Sequence, residues 1–386
     1  MVPARLTYCG NVHPAIELDA WLADLQQHAA PVAAAARSRG RAFGLGAWWH
    51  SELAAQLAAD AQARDRVARA LAQHGTELWT LNVFPHGAFH ADVVKEAVYT
   101  PDWSHEDRLT YTRDCAEAAA LLAPRGAVLP LSTLPLGYRA PGEEPADLRV
   151  MARNLARAAS MLASVEERTG VRCVLALEPE PFCLLETVAQ AARFLEDWLF
   201  DEGAWITVPQ HVLRRHLGVC VDLCHLFVVG EDPLAALADL RERRIEVPKV
   251  QVSSCLEVRE PAGLEALLAF DEPRWLHQTV AADGTRSLDL QGVRSRLDAF
   301  RRGGRVRTHF HVPLYWDQAG PFGSTRAEVV RVLQGLGAPL PLLEVETYTW
   351  PVLGGLGGAE PLAARLVREL EFAADQLPRA TPASFP

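Results

Sequence analysis

Lysine is nearly absent: of the 38 basic residues only Lys95 and Lys249 are lysines, which leaves almost no candidate for Schiff-base chemistry. No run approaches the ~18 uninterrupted apolar residues that a spanning helix needs. Met1 to Gly10 lacks the basic region and apolar core of an export signal. The expectation is therefore a cytoplasmic chain that does not span a membrane. The seven cysteines are odd in number and form no short-spaced framework, which excludes a disulfide scaffold at this length. Cys220 and Cys224 have no second pair at zinc-finger spacing and read as small buried apolar residues. No repeat and no low-complexity linker divides the 386 residues, and a net charge of −10 argues against a nucleic-acid partner.

What is present is an alternation. Nine short apolar runs, Leu6–Cys9, Ala42–Trp49, Leu78–Pro85, Val128–Pro135, Cys173–Pro181, Leu217–His225, Val247–Ser254, Thr308–Leu314 and Leu340–Tyr348, are separated by Ala/Leu/Arg stretches of helical periodicity, and Pro361–Gln376 closes the series. Strands alternating with helices imply a parallel sheet with helices outside it. A doubly wound sheet would open its first helix with a GxGxxG turn, and none is there. Polar residues instead end many strands, as expected where strand ends converge on one barrel mouth. The sequence predicts an α/β fold, a (β/α)8 TIM barrel over residues 1–377 with a tail at 378–386. Eight strands are needed, so one run is surplus; Thr308–Leu314, preceded by the long Cys255–Arg307 segment, predicts an insertion at about 255–315, before the last strand.

Three strand ends carry carboxylates. In Leu175-Ala176-Leu177-Glu178-Pro179-Glu180 the period-two alternation puts Ala176, Glu178 and Glu180 on one face. An inward carboxylate is costly unless paired or metal-bound. A structural salt bridge would also explain Glu178, but the pattern recurs. Val219-Cys220-Val221-Asp222-Leu223-Cys224-His225 ends in an Asp with a His three residues on, although Asp222 also suits a helix N-cap and His225 a packing role. In Leu342-Leu343-Glu344-Val345-Glu346, Glu344 and Glu346 share a face, with Glu346 nearer the mouth. Glu178, Asp222 and Glu346 with His225 nearby make an oxygen-rich donor set suited to Mg²⁺ or Mn²⁺; zinc prefers more nitrogen or sulfur.

These positions resemble the xylose-isomerase-like barrel superfamily, which includes sugar isomerases, ketose 3-epimerases and apurinic endonucleases. In the epimerase branch a metal is held by Glu on strand five, Asp followed at three residues by His on strand six, His on strand seven and Glu on strand eight. Glu178, Asp222 with His225, and Glu346 match, while Gln251 stands where histidine is usual. The resemblance thus implies Gln251 as a fourth, weaker ligand through its carbonyl. Leu6-Thr7-Tyr8-Cys9-Gly10-Asn11-Val12-His13-Pro14, Leu177-Glu178-Pro179-Glu180-Pro181, Trp275-Leu276-His277-Gln278-Thr279, Thr308-His309-Phe310-His311-Val312-Pro313 and Leu343-Glu344-Val345-Glu346-Thr347-Tyr348-Thr349-Trp350 together resemble the EboE-type metabolite-traffic proteins. That branch implies a metabolite-related role, a small-molecule ligand and partner proteins from the same gene cluster.

His309 and His311 also share a face, so two imidazoles join the mouth as metal ligands, acid and base, or substrate grips. His13, Asn82 and His86 follow strands one and three and are read as rim contacts to substrate, with loop hydrogen bonding as the plain alternative. Among the ten tryptophans, Trp49 and Trp350 are expected to stack on the ligand, with Glu180, His309 and Glu344 as further contacts. Lys249 lies deeper on the Gln251 face and is expected in a buried ion pair. The favoured function is a divalent-metal-dependent isomerase or epimerase of a sugar-like metabolite. In it Glu178 and Glu346 pass a proton through a cis-enediolate, and His225 and His311 assist. A metabolite carrier without turnover and a zinc phosphodiesterase are the alternatives.

Overall fold

The computed structural model describes residues 4–139, 147–201, 206–352 and 360–378. Strands β1 (Leu6–Tyr8), β2 (Leu45–Trp48), β3 (Leu78–Asn82), β4 (Val128–Thr133), β5 (Arg172–Leu177), β6 (Leu217–Asp222) and β7 (Glu246–Val252) follow one another around a barrel. The chain then leaves the barrel through β8 (Ser254–Val258), β9 (Thr279–Ala281), β10 (Arg286–Ser287), β11 (Val306–Val312), β12 (Gln318–Ala319) and β13 (Phe322–Ser324). It returns as β14 (Leu342–Val345), which lies between β7 and β1. All pairings in the eight-stranded sheet are parallel. The expected TIM barrel is therefore what the chain forms, and the surplus run, Thr308–Leu314, falls in β11, outside it.

The barrel is closed at its β1–β2 seam by a side chain. The Thr7 hydroxyl donates to the Gly44 carbonyl (2.6 Å) and accepts from the Gly46 N–H (3.1 Å). Gly46 is required there: a Cβ would come within 2.3 Å of Glu344 Oε1 and 2.5 Å of the Tyr8 carbonyl. The outer helices follow local rules. Leu148–Thr169 starts where Asp147 accepts from the N–H groups of Arg149 (3.0 Å) and Val150 (3.2 Å), and it stops at Gly170 in the left-handed region (φ 71°). Met151, Leu155, Leu162 and Val165 recur on its buried face, and each buried side chain of this kind contributes roughly 1.5–3 kcal/mol. Among the described residues no helix is long and apolar enough to cross a membrane.

β8 to β13 form a second, antiparallel sheet in the order β10-β9-β11-β8-β13-β12. It begins one residue after β7 and runs past position 315 to Ser324, because β12 and β13 are too short to give an alternating pattern. Between Thr308 and His311 the β11–β8 register shifts, a bulge that turns this strand over the barrel mouth. The expected tail at 378–386 lies outside the described residues apart from Pro378.

The closing helix Leu362–Gln376 is latched to the segments that follow β11 and β14. Glu369, fully buried, accepts from the Leu314 N–H (3.0 Å) and the Thr347 hydroxyl (2.7 Å). Burial pushes its carboxyl up to about 8. A carboxyl raised in the native state holds its proton while the unfolded chain has lost it. Its contribution to stability is thus complete below the ordinary glutamate range and falls as pH rises toward 8. Glu369→Gln is expected to remove this dependence, so that the variant gains on the parent by about 1.4 kcal/mol per pH unit across that window. Denaturant unfolding of both proteins at pH 5 and 8 measures it, and parallel pH profiles refute it.

Candidate functional site

The inward faces of β5, β6 and β14 bring Glu178, Asp222 and Glu346 together at the mouth, all at most 3% exposed, with one carboxylate oxygen of each within 4.8 Å of the others. Asp222 Oδ1 caps the helix Leu223–Val229 by accepting the His225 N–H (2.9 Å), and it also takes the Ser253 hydroxyl (2.9 Å). N-cap and site residue are thus one side chain, each using a different oxygen. Glu346 Oε1 accepts from Asn11 Nδ2 (2.6 Å) and Asn82 Nδ2 (3.4 Å). The remaining oxygens, Glu178 Oε2, Asp222 Oδ2 and Glu346 Oε2, are buried with no partner.

Three buried carboxylates with orphaned oxygens must be neutralised by protons or by a cation. Burial and then mutual repulsion hold Glu178 and Glu346 well above the usual carboxylate range. At Asp222 burial acts in the same direction, but the His225 and His311 rings, the His225 N–H and the Ser253 hydroxyl outweigh it and hold this carboxyl low. Three hard oxygen donors around one point fit a divalent ion.

Beside them three imidazoles converge. His225 Nδ1 lies 3.0 Å from the Pro179 carbonyl, His311 Nδ1 2.9 Å from the Glu346 carbonyl and His309 Nδ1 2.8 Å from Gln278 Oε1. Carbonyl oxygens only accept, so each Nδ1 carries a hydrogen, and a ring without a second proton presents its Nε2 lone pair. Those lone pairs meet: His309 Nε2 is 3.1 Å from His225 Nε2 and 3.0 Å from His311 Nε2. Burial, with its imidazole neighbours, holds His309 well below the usual histidine range, and burial brings His311 to about 4. Nitrogen lone pairs packed this closely need a hydrogen or a cation among them, and the Tyr348 hydroxyl, 3.4 Å from His309 Nε2, is one donor.

One layer deeper, Lys249 Nζ lies 2.6 Å from Glu344 Oε2 and 2.9 Å from Ser132 Oγ, with both charged side chains fully buried. Burial alone would lower the ammonium; Glu344 outweighs it and holds Lys249 above the usual range. Glu344 is thereby the partner of Lys249 and does not line the mouth. Gln251 lies between the layers, its Oε1 accepting the Cys220 thiol (3.1 Å) and its Nε2 without a partner.

Above the carboxylates opens a cavity lined by Asn11, Asn82, Glu178, Glu180, His225, His309, His311 and Glu346. Its aromatic wall is Phe84, Phe89, Tyr99, Trp275 and Tyr348. Neither tryptophan expected to stack on the ligand belongs to that wall. Trp49 is fully buried against Trp21 (6.3 Å between rings), because β2 alternates from Gly46 to Trp48 inward and so turns Trp49 toward the helices. Trp350 lies past the end of β14, where strand alternation no longer applies, and packs under the Arg365 guanidinium (5.0 Å). His86 packs on Tyr111 (5.1 Å) and His13 on His28, both outside the lining.

Lining residues that the sequence did not single out are Gln278, Tyr99, Lys95 and Asn11. Gln278 Nε2 and the Tyr99 hydroxyl both donate to Glu180 Oε1 (3.0 and 2.7 Å), and Lys95 Nζ ties the wall together through Asp289 (2.7 Å) and the Trp275 carbonyl (2.8 Å). Gln278 and Asn11 stand in motif segments already quoted; nothing local marked Tyr99.

Residues 32–300 match the family described as xylose isomerase-like TIM barrel. No curated protein matches the chain. Among solved structures it is similar to the apo form of 3-keto-D-glucoside 4-epimerase from E. coli, at 13% identity, covering 97% of this chain and 100% of that one, with a TM-score of 0.45. It is also similar to the IolI protein with a binding zinc atom (13% identity, 97% and 98% covered, TM-score 0.47). A third is D-psicose 3-epimerase with D-tagatose from Clostridium cellulolyticum H10 (11% identity, 96% and 97% covered, TM-score 0.46).

Proposed function

Since the chain belongs to the xylose isomerase-like TIM barrel family, we propose that it is a divalent-metal-dependent isomerase or epimerase of a sugar-like metabolite. The observation that carries this reading is the set of three orphaned carboxylate oxygens, on Glu178, Asp222 and Glu346, at the floor of a cavity with an aromatic wall. Glu178, Asp222 and Glu346 would hold the ion, with Gln251 as a further ligand if its amide turns its oxygen inward. A bound divalent ion draws electron density from neighbouring hydroxyl and carbonyl oxygens of a substrate and so acidifies the carbon between them.

The chain's own groups do the rest. Glu178 and Glu346 stand on different walls of the barrel and exchange the carbon-bound proton, one removing and the other returning it through a cis-enediolate. Asn11 and Asn82 hold Glu346 by one oxygen and so fix the direction in which its carboxylate faces the cavity. Trp275 and Tyr348 supply the apolar face of a sugar ring, and Glu180, Asn82 and His309 take its hydroxyls. His225 and His311 accept hydroxyl hydrogens through Nε2. Because the second sheet contributes His309 and His311, residues 1–377 are read as one working unit. On the quoted segments the chain is further read as an EboE-type protein acting in the cytoplasm beside partners from its gene cluster. The nitrogen triad also favours a second reading, a zinc phosphodiesterase, which cleavage of abasic DNA at low salt would support.

Purified protein is expected to carry a near-stoichiometric divalent ion, and elemental analysis finding none with Glu178 and Asp222 intact defeats the proposal. Stripped protein titrated with Mn²⁺ to about 100 times the dissociation constant is expected to gain about 2.7 kcal/mol of stability. Thermal unfolding with and without chelator measures it.

A further inference from the structure

A second donor set lies behind the mouth, outside the cavity lining and independent of the reading above. His13 follows the turn Gly10–Val12; Asp24 and His28 belong to the helical segment that starts at Leu18, where the wide π turn Leu25–Ala29 keeps them on one face. One donor atom from each of the three lies within 4.8 Å of the other two. His13 Nδ1, Asp24 Oδ2 and His28 Nδ1 are all buried and all without a partner, and the His13 side chain is only 8% exposed.

The surroundings prepare these atoms as ligands. His13 Nε2 lies 3.0 Å from the Tyr8 hydroxyl; in the tautomer whose Nε2–H donates to that oxygen, Nδ1 keeps its lone pair for a metal. The His13 and His28 rings stack at 5.0 Å and 16°, an approach that two neutral imidazoles tolerate and two imidazolium ions do not. Burial brings His13 to about 3 and lowers His28 as well. Two neutral imidazoles and a carboxylate, each with one unpartnered donor atom, form a borderline donor set of the kind that binds zinc with a fourth position left to water.

We propose that His13, Asp24 and His28 form a second metal site, for Zn²⁺ or a similar borderline ion, separate from the carboxylate centre. Its consequence reaches that centre through the backbone. The Gly10–Val12 turn that leads into His13 also presents Asn11, whose amide holds Glu346 and whose carbonyl lies 2.6 Å from His90 Nε2. An ion between the turn and the helix braces Asn11 from behind.

The full chain, stripped with chelator and titrated with Zn²⁺ alone, tests this. Asp24→Asn and His28→Ala are each expected to bind one equivalent less than the parent, while His309→Ala retains the equivalent assigned to His13, Asp24 and His28. Far-UV circular dichroism establishes that the variants are folded. Unchanged stoichiometry in folded Asp24→Asn and His28→Ala overturns the proposal. Anomalous diffraction at the zinc edge from zinc-soaked parent crystals needs no variant. A peak between His13 and His28 is expected, and zinc peaks elsewhere with none there overturn the site even if the carboxylate centre is filled.

Discussion

Lys249→Met is expected to destabilise the protein by about 3–5 kcal/mol, among the largest stability effects of any single substitution in the barrel. The ammonium is the cation at 2.6 Å from Glu344 Oε2, both side chains are fully buried, and Glu344 Oε1 already lacks a partner. Removing Lys249 leaves a buried carboxylate that no rearranged solvent can reach, so Glu344 must take up a proton. A carboxyl raised in the native state loses stability as pH rises above the ordinary glutamate range, and the penalty is therefore expected to be larger at pH 8 than at pH 5. Lys249→Met with Glu344→Met removes both charges and is expected to recover most of the loss, giving a coupling of several kcal/mol in a double-mutant cycle. A single-variant cost below about 1 kcal/mol at pH 8 would contradict the ion pair. The Lys249→Arg variant is not expected to substitute, since a planar fork cannot occupy the compact point between Glu344 and Ser132.

That ion pair also marks where a sequence stops being readable. Strand alternation is a local geometric rule, and it placed Glu178 with Glu180 and Glu344 with Glu346 on inward faces without knowledge of their neighbours. Depth is another matter, because it depends on register between strands far apart in the chain. Leu342 pairs with Lys249 and Glu344 with Gln251, which is what gives Glu344 a cation and leaves Glu346 free at the mouth. The histidine pair at 309 and 311 was visible as a pair. That His309 of this pair meets His225 at 3.1 Å between Nε2 atoms follows from a bulged strand of the second sheet folding back, a contact no local pattern encodes. Trp49 shows the opposite case: its place at a strand end suggests the mouth, while the parity of β2 gives the inward place to Trp48, whose indole donates to the Pro85 carbonyl (2.9 Å).

Glu178→Gln and Glu346→Gln are each expected to lower turnover by about 10²–10⁴-fold, the range that a positioned acid or base supplies. Glutamine keeps the shape and one oxygen of each side chain but can neither take nor return the carbon-bound proton at neutral pH. The measurement that isolates this step is exchange of that proton with D₂O, followed by NMR over a panel of ketoses and keto-sugars, because exchange reports proton removal even where net conversion is slow. Asn11→Ala separates positioning from proton transfer. It removes the 2.6 Å donor to Glu346 Oε1 while leaving the carboxylate, so exchange should fall by less than in Glu346→Gln. Retention of full exchange in both glutamine variants would remove Glu178 and Glu346 from the chemistry. A parent protein that binds a panel member tightly, carries its metal and exchanges no proton would instead establish the carrier reading, in which the same carboxylates hold an ion only to grip the ligand.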